Sequence, residues 1–239
     1  VQLTGINEEL SKLQTAFGKN LLNDTNDLGV LVENLVDLDG LTATEIATAS
    51  NGAKDRGHKG KYLLAMVNFT GNPLLTTLKN RELRKKIMDA SLVKGNRNNE
   101  KDTKALLLQM VKLRARRAKL FGVSSHAEYV IHEQTAGSPA NVHKVLREIA
   151  PAAVKNARAE GKQLQEAIIS DGHEFELASW DWDFYTEKVR AEKYSLDTSA
   201  MKPYFELESV LINGVFFAAE KLYGLTFKER PDLIAYHPE

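Results

Sequence analysis

The sequence predicts a mainly α, multi-helix fold with one small β element near residues 60–78. Three observations predict it. Apolar residues recur at spacings of three and four along most of the chain, which places them on one face of a helix. Cap-type residues and glycines punctuate these stretches where helices begin and end. One continuous apolar run, residues 61–69, is rich in Leu, Val and Tyr and is bounded by Gly60 and by Gly71-Asn72-Pro73; it has the composition of a strand.

The elements follow in order. Ile6, Leu10, Leu13, Phe17 and Leu21 make the first stripe, with Thr4 as its expected cap. A short extended piece is expected over 30–38. Thr42 and Glu45 have the spacing of a capping box, Leu41 is placed to staple onto Ile46, and Gly57 suits the helix exit. The strand at 61–69 takes residues 74–78 as its expected hairpin partner. Asn80 caps a helix carrying Leu83, Ile87 and Leu92, and GNRNNE at 95–100 is a turn by composition. A long helix then runs to Leu120 and stops at Gly122. Ser125 and Glu128 have the spacing of a second capping box. Ser138-Pro139 is an N-cap followed by a first-turn proline. The helix it opens carries Val142, Leu146 and Ile149 towards Ile168, and Pro151 is expected to kink or split it. Another helix covers 180–194. Leu207, Leu211, Val215, Ala218 and Leu222 define the last long one, closed by Gly224, and 225–227 reads as a terminal strand. There is no repeat and no long linker, so 1–239 reads as one helical portion with a subdivision expected near 123–138.

Of the 239 residues 43% are hydrophobic, enough for a sizeable core. Thirty-two basic residues balance 32 acidic ones, so the whole chain has no net attraction to nucleic acid or to anionic membranes. The absence of cysteine excludes disulfides and thiolate metal sites. No apolar run approaches the roughly 20 residues that span a bilayer. The opening VQLTGINEEL has neither an initiator Met nor a signal-peptide pattern, and the expectation is a segment entered in mid-sequence and cut again at Glu239.

Zinc hydrolases place two His four apart on one helix face, with a Glu after the first that takes a proton from the metal-bound water. His132-Glu133 runs on into Gln134-Thr135-Ala136, and His173-Glu174 into Phe175-Glu176-Leu177; both lack the second His and read as exposed pairs. Glu128 and His132, with His126 nearby, share a helix face and read as a surface hydrogen-bonded pair. His143 lies eleven residues beyond His132, with no carboxylate to complete a ligand set. Residues 112–119 (KLRARRAK) carry five cations. The sharp reading is a nucleic-acid patch; the neutral chain, with Leu113 and Leu120 keeping a buried side, favours a solvated helix face. Trp180, Trp182, Phe184 and Tyr185 read as core, as do Tyr204, Phe205, Phe216 and Phe217. No residue takes a catalytic or metal-ligating role.

An ordered series of motifs then adds a family likeness. Trp182-Asp183 (or Trp180-Asp181 with Phe184-Tyr185), Tyr194 to Asp197, Tyr204-Phe205, Gly224-Leu225-Thr226-Phe227 and Tyr236-His237-Pro238 resemble the thimet oligopeptidase, oligopeptidase A and peptidyl-dipeptidase family. Asn80-Arg81 with Arg84, the Asn-rich turn from Asn98 before the helix to Leu120-Phe121-Gly122, His126-Ala127-Glu128-Tyr129 and Ser138-Pro139 agree. Bacterial dipeptidyl carboxypeptidases look the most similar. The resemblance implies one wall of a neurolysin-like peptidase of two halves, with a deep channel for short peptides between them. It places the zinc helix, the third ligand and the assisting Tyr beyond Glu239. The segment is then expected to be inactive alone, with zinc in the parent enzyme, the catalytic half as its partner, no nucleic acid or membrane partner, and self-association through uncovered apolar surface, above all over residues 207–222 and 225–237. A cytoplasmic location is expected, with a periplasmic one as the alternative. Two rival readings are a stand-alone helical binding or regulatory module, and an RNA-binding domain using residues 112–119.

Overall fold

The computed structural model describes residues 2–66, 72–194 and 198–233. It divides into two compact units, Val1–Val189 and Arg190–Glu239.

In the first unit α1 (Gln2–Asp27) opens upstream of Thr4, which lies inside its first turn rather than capping it. Ile6, Leu10 and Leu13 are buried against Met110 of α4 (Lys104–Leu120). On α4 the buried side belongs to Met110 and Ala118; Leu113 is only half-buried and Leu120 is exposed. Helix α1 outlasts Leu21. Thr25 Oγ1 donates to the Leu21 carbonyl at 2.7 Å, and the fully buried Asp24 accepts the Gly95 N–H at 2.7 Å and Arg97 Nη1 at 2.9 Å. That carboxylate pins the 95–100 turn onto the end of α1.

The small sheet pairs β1 (Val30–Val32) antiparallel with β2 (Tyr62–Leu64), Val30 lying opposite Leu64. The hairpin expected between 61–69 and 74–78 does not form. Pro73 has no N–H for a ladder, and Asn72 Oδ1 accepts the Leu74 N–H at 3.1 Å, which turns Pro73–Thr76 into a 3-10 helix. Residues 67–69 of the apolar run lie outside the described residues. The extended piece expected over 30–38 likewise shortens to β1 and is followed by a 3-10 turn, Leu35–Leu38.

Between the strands, α2 (Ala43–Asp55) has the capping box its sequence predicts. The Thr42 N–H reaches Glu45 Oε2 at 2.7 Å, and the Glu45 N–H reaches Thr42 Oγ1 at 3.3 Å. At its end Gly57, with φ +81°, lets the His58 N–H return to the Ala53 carbonyl at 2.8 Å, the left-handed stop that glycine favours. Asn80 caps α3 (Arg81–Leu92). Val32, Leu38, Leu64, Leu75, Leu78 and Ile87 form the largest buried cluster, and Leu41 and Ile46 both pack against it.

The second predicted box is half-formed. Ser125 Oγ accepts the Glu128 N–H at the start of α5 (His126–Ile131), but the Glu128 carboxylate goes to Ser124, taking its N–H at 2.9 Å and its hydroxyl at 2.6 Å. Helix α6 (Pro139–Ser170) starts at Ser138 and continues through Pro151 without being split; one lost hydrogen bond does not end a helix of 32 residues. Its last turns pack against α7 (Ser179–Tyr194), where Leu164, Ile168 and Tyr185 are buried with Trp182 and Phe184 around them. Of the aromatic residues expected as core on α7, Tyr185 is buried, Trp182 and Phe184 pack half-buried against it, and Trp180 is half-buried outside this cluster.

The second unit takes in the end of α7 and a 3-10 stretch, Thr198–Phe205. A helical rod follows: α8 (Leu207–Val210), a π-helical turn (Leu211–Phe216) and α9 (Phe217–Tyr223), closed by Gly224 at φ +67°. No strand forms at 225–227; the Phe227 ring instead stacks on Phe216, 4.0 Å between centroids. Tyr204, Phe205 and Phe217, expected as core, are exposed, and so are Leu207, Ile212, Val215 and Leu222. The uncovered apolar surface expected over 207–222 is therefore present. Asp197 and Tyr236-His237-Pro238 lie outside the described residues. No described helix is long and apolar enough to cross a membrane.

Candidate functional site

The most elaborate polar centre is built by α3 and α7. Asp181, in the first turn of α7, is completely buried, and Arg84 is 2% exposed. Arg81 donates from Nε at 3.0 Å to Oδ1 and from Nη2 at 2.8 Å to Oδ2 of Asp181. Arg84 Nη2 donates to Oδ1 at 2.9 Å. Arg84 Nη1 also donates to the Leu78 and Lys79 carbonyls, each at 2.9 Å, and its Nε to the Trp180 carbonyl at 3.1 Å. Arg81 lies 4.0 Å over the Phe175 ring and Arg84 4.3 Å over Phe184, contacts favoured by the ring quadrupole. The Ala178 N–H also donates to Asp181 Oδ2, at 3.2 Å.

This is a clamp. Asp181 is held on both oxygens by two guanidiniums that stay charged, so it has no role as a general base. It locks two helices that are about a hundred residues apart in sequence. Asn80-Arg81 with Arg84, and Trp180-Asp181, stand in the sequence as separate motifs. Two arginines three apart on a helix, and a Trp-Asp pair in an apolar stretch, were the available signal; nothing in a single sequence said that they meet.

The histidines do not converge. His173 stacks on Phe175 at 5.2 Å. Glu128 bonds to Ser124, not to His132 as expected, and these hydrogen bonds hold its carboxyl below the usual range, with the His132 charge a lesser cause. His126 is half-buried beside Tyr129, and its Nδ1 has no partner. Among the described residues no group of three His, Asp or Glu is placed to hold a metal, so these side chains do not fit a zinc site. The five cations of 112–119 divide: Lys112, Arg116 and Lys119 are exposed, Arg114 is half-buried, and Arg117 bonds to Asn7 at 3.2 Å and lies 5.1 Å over the Tyr129 ring.

Burial pushes His126 below its ordinary value of 6.5, and the charges of Arg114 and Arg117 act in the same direction. The folded state thus favours the neutral imidazole. Its contribution to stability is complete above 6.5 and declines as pH falls through 6.5 towards the lower folded value. In an NMR pH series the His126 ring should titrate below 6.5; an inflection above 6.5 contradicts this packing.

A model of peptidase family M3 matches residues 74–239. The chain belongs to this family. It is 36% identical over 238 residues to the dipeptidyl carboxypeptidase of Escherichia coli, an alignment covering all of this chain and 35% of that protein. The oligopeptidase A of Salmonella typhimurium is 28% identical over 234 residues, covering 96% of this chain and 34% of the relative. Saccharolysin of Saccharomyces cerevisiae is 27% identical over 144 residues, 58% of this chain and 20% of its own. This M3 chain spans about a third of the length of the first two relatives. The clamp residues Arg81, Arg84 and Asp181 fall inside the matched stretch.

Proposed function

We propose that these 239 residues are a non-catalytic wall segment of a zinc metallopeptidase that hydrolyses short peptides, as an oligopeptidase or by releasing C-terminal dipeptides. The observation that carries this reading is the alignment of the entire chain with a third of a dipeptidyl carboxypeptidase. Zinc, its ligands and the proton-transferring Glu then belong to polypeptide outside residues 1–239. The segment contributes access and positioning: a rigid helical wall restricts the channel to short peptides and orders them for attack. Cross-links such as Arg81–Asp181–Arg84 suit that role, because a wall that moves by about 1 Å forfeits orientation. The reading includes short peptides and the catalytic half as partners, a cytoplasmic location, one helical portion over 1–239 with its subdivision near 123–138, and no role for nucleic acid.

The test uses two proteins. The isolated chain, supplied with zinc, should leave short peptides uncut. A chimera in which this chain replaces the aligned third of the E. coli dipeptidyl carboxypeptidase should cleave them. Turnover by the isolated chain that EDTA abolishes would overturn the proposal, as would a folded, zinc-loaded chimera without activity.

A further inference from the structure

Helix α6 is half core and half unpartnered. Residues 143–160 are all exposed, on every side of the helix. Leu146, Ile149, Ala153, Ala157, Gly161, Leu164 and Ile168 nevertheless follow one another at steps of three and four, so they form a single row along the rod. At the lower end of the row Leu164 and Ile168 are 3% and 0% exposed, and Trp182 lies over Gly161. At the upper end Leu146 and Ile149 are each 57% exposed, and Val154 beside them is 47% exposed. The same stripe is a finished core at one end and bare at the other.

A row of charge follows the bare half. Arg147, Lys155, Arg158 and Lys162 line one continuous shallow groove with Pro151 and Val154. None of these four cations has an ion pair or hydrogen bond among the described residues. Beside the groove the row is narrow, at Ala153 and Ala157, both exposed. A lipid-facing helix carries large apolar side chains such as Trp, Phe and Leu. A row of small residues flanked by cations fits a helix that approaches closely and brings carboxylates.

We infer that the exposed face of α6 docks an amphipathic helix with an acidic edge, contributed by the part of the peptidase outside these 239 residues. The inference rests on the proposed function. Two observations favour this source. The bare row continues the chain's own core between α6 and α7, and nearly two thirds of the relatives' length lies outside the aligned region. The occupant extends that core, and its carboxylates meet Arg147 and Arg158, which flank the row.

The chimera tests this. A photo-cross-linking residue is introduced at the edge of the row, Val154→benzoylphenylalanine, and a control on the opposite face, Glu148→benzoylphenylalanine. The first should cross-link within one molecule to a helix bearing carboxylates; the second should not. The pair Arg147→Glu and Arg158→Glu should lower the melting temperature of the chimera by several degrees and leave that of the isolated chain unchanged. Cross-links from position 154 to a second copy or to phosphatidylglycerol vesicles, or a charge reversal that leaves the chimera unaffected, would overturn the inference. An inactive chimera that still gives the position-154 cross-link removes the peptidase reading alone. An active chimera without that cross-link removes the docking face alone.

Discussion

Asp181→Ala should destabilise the first unit by about 3–5 kcal/mol, the cost of removing one partner from a buried charge pair. The reason lies in what stays behind. Arg84 is 2% exposed, and the Leu78, Lys79 and Trp180 carbonyls still hold its hydrogens, so it cannot swing to water without breaking those bonds. Its charge is left facing Phe184 and the emptied carboxylate position. Arg81 is 27% exposed on its side chain, and losing it should cost markedly less, because water replaces part of what it gives up. The double variant Arg84→Met, Asp181→Leu should recover much of the Asp181→Ala loss, since a buried ion pair replaced by apolar groups of similar volume is often neutral. Urea unfolding of the three variants measures this. A loss below about 1 kcal/mol for Asp181→Ala, a value typical of exposed pairs, would show that the carboxylate is not the buried junction of α3 and α7.

The clamp also shows where reading the sequence stops. Local signals were legible because their partners lie within a few residues. The Thr42–Glu45 box, the Asn80 cap, the Ser138-Pro139 start and the glycine exits at 57, 122 and 224 all stand in the structure. The structure departs from the sequence pattern where spacing alone does not choose the partner. Residues 62–64 pair with 30–32 and not with the adjacent 74–78; the adjacent segment has the hydrophobicity of a strand, but Asn72 and Pro73 commit it to a turn. Glu128 found Ser124 one residue before the predicted cap, a choice between two serines that spacing alone does not make. Helical periodicity correctly placed Leu207, Leu211 and Val215 on a helix but could not say that nothing covers them. For the candidate site, the residue types were visible as motifs, while the fact that Arg81, Arg84 and Asp181 form one unit depends on a contact across about a hundred residues.

Gly40→Ala is expected to cost about 3–4 kcal/mol, a large loss attributable to strain at a special backbone position. Gly40 has φ +98°, and a Cβ there would lie 1.9 Å from the Thr77 carbonyl oxygen and 2.9 Å from its carbon. Both obstacles are backbone atoms, so no rotamer change relieves them. The two loops touch because each is anchored beside this point. The Lys79 N–H donates to the Asp39 carbonyl at 2.9 Å, and Leu38 and Leu78, on either side of the crossing, are completely buried. Moving the loops apart to admit a methyl therefore opens the main core as well. Gly57→Ala separates the two causes. Gly57 also has a positive φ, +81°, but a Cβ there meets nothing within 4 Å. It should lose only the conformational term, about 1–2 kcal/mol for an L residue in left-handed backbone. The excess loss at Gly40 over Gly57 in denaturant titrations measures the close approach itself. Equal losses would mean that backbone strain is the whole effect and that the 38–41 and 75–79 segments are not packed backbone to backbone.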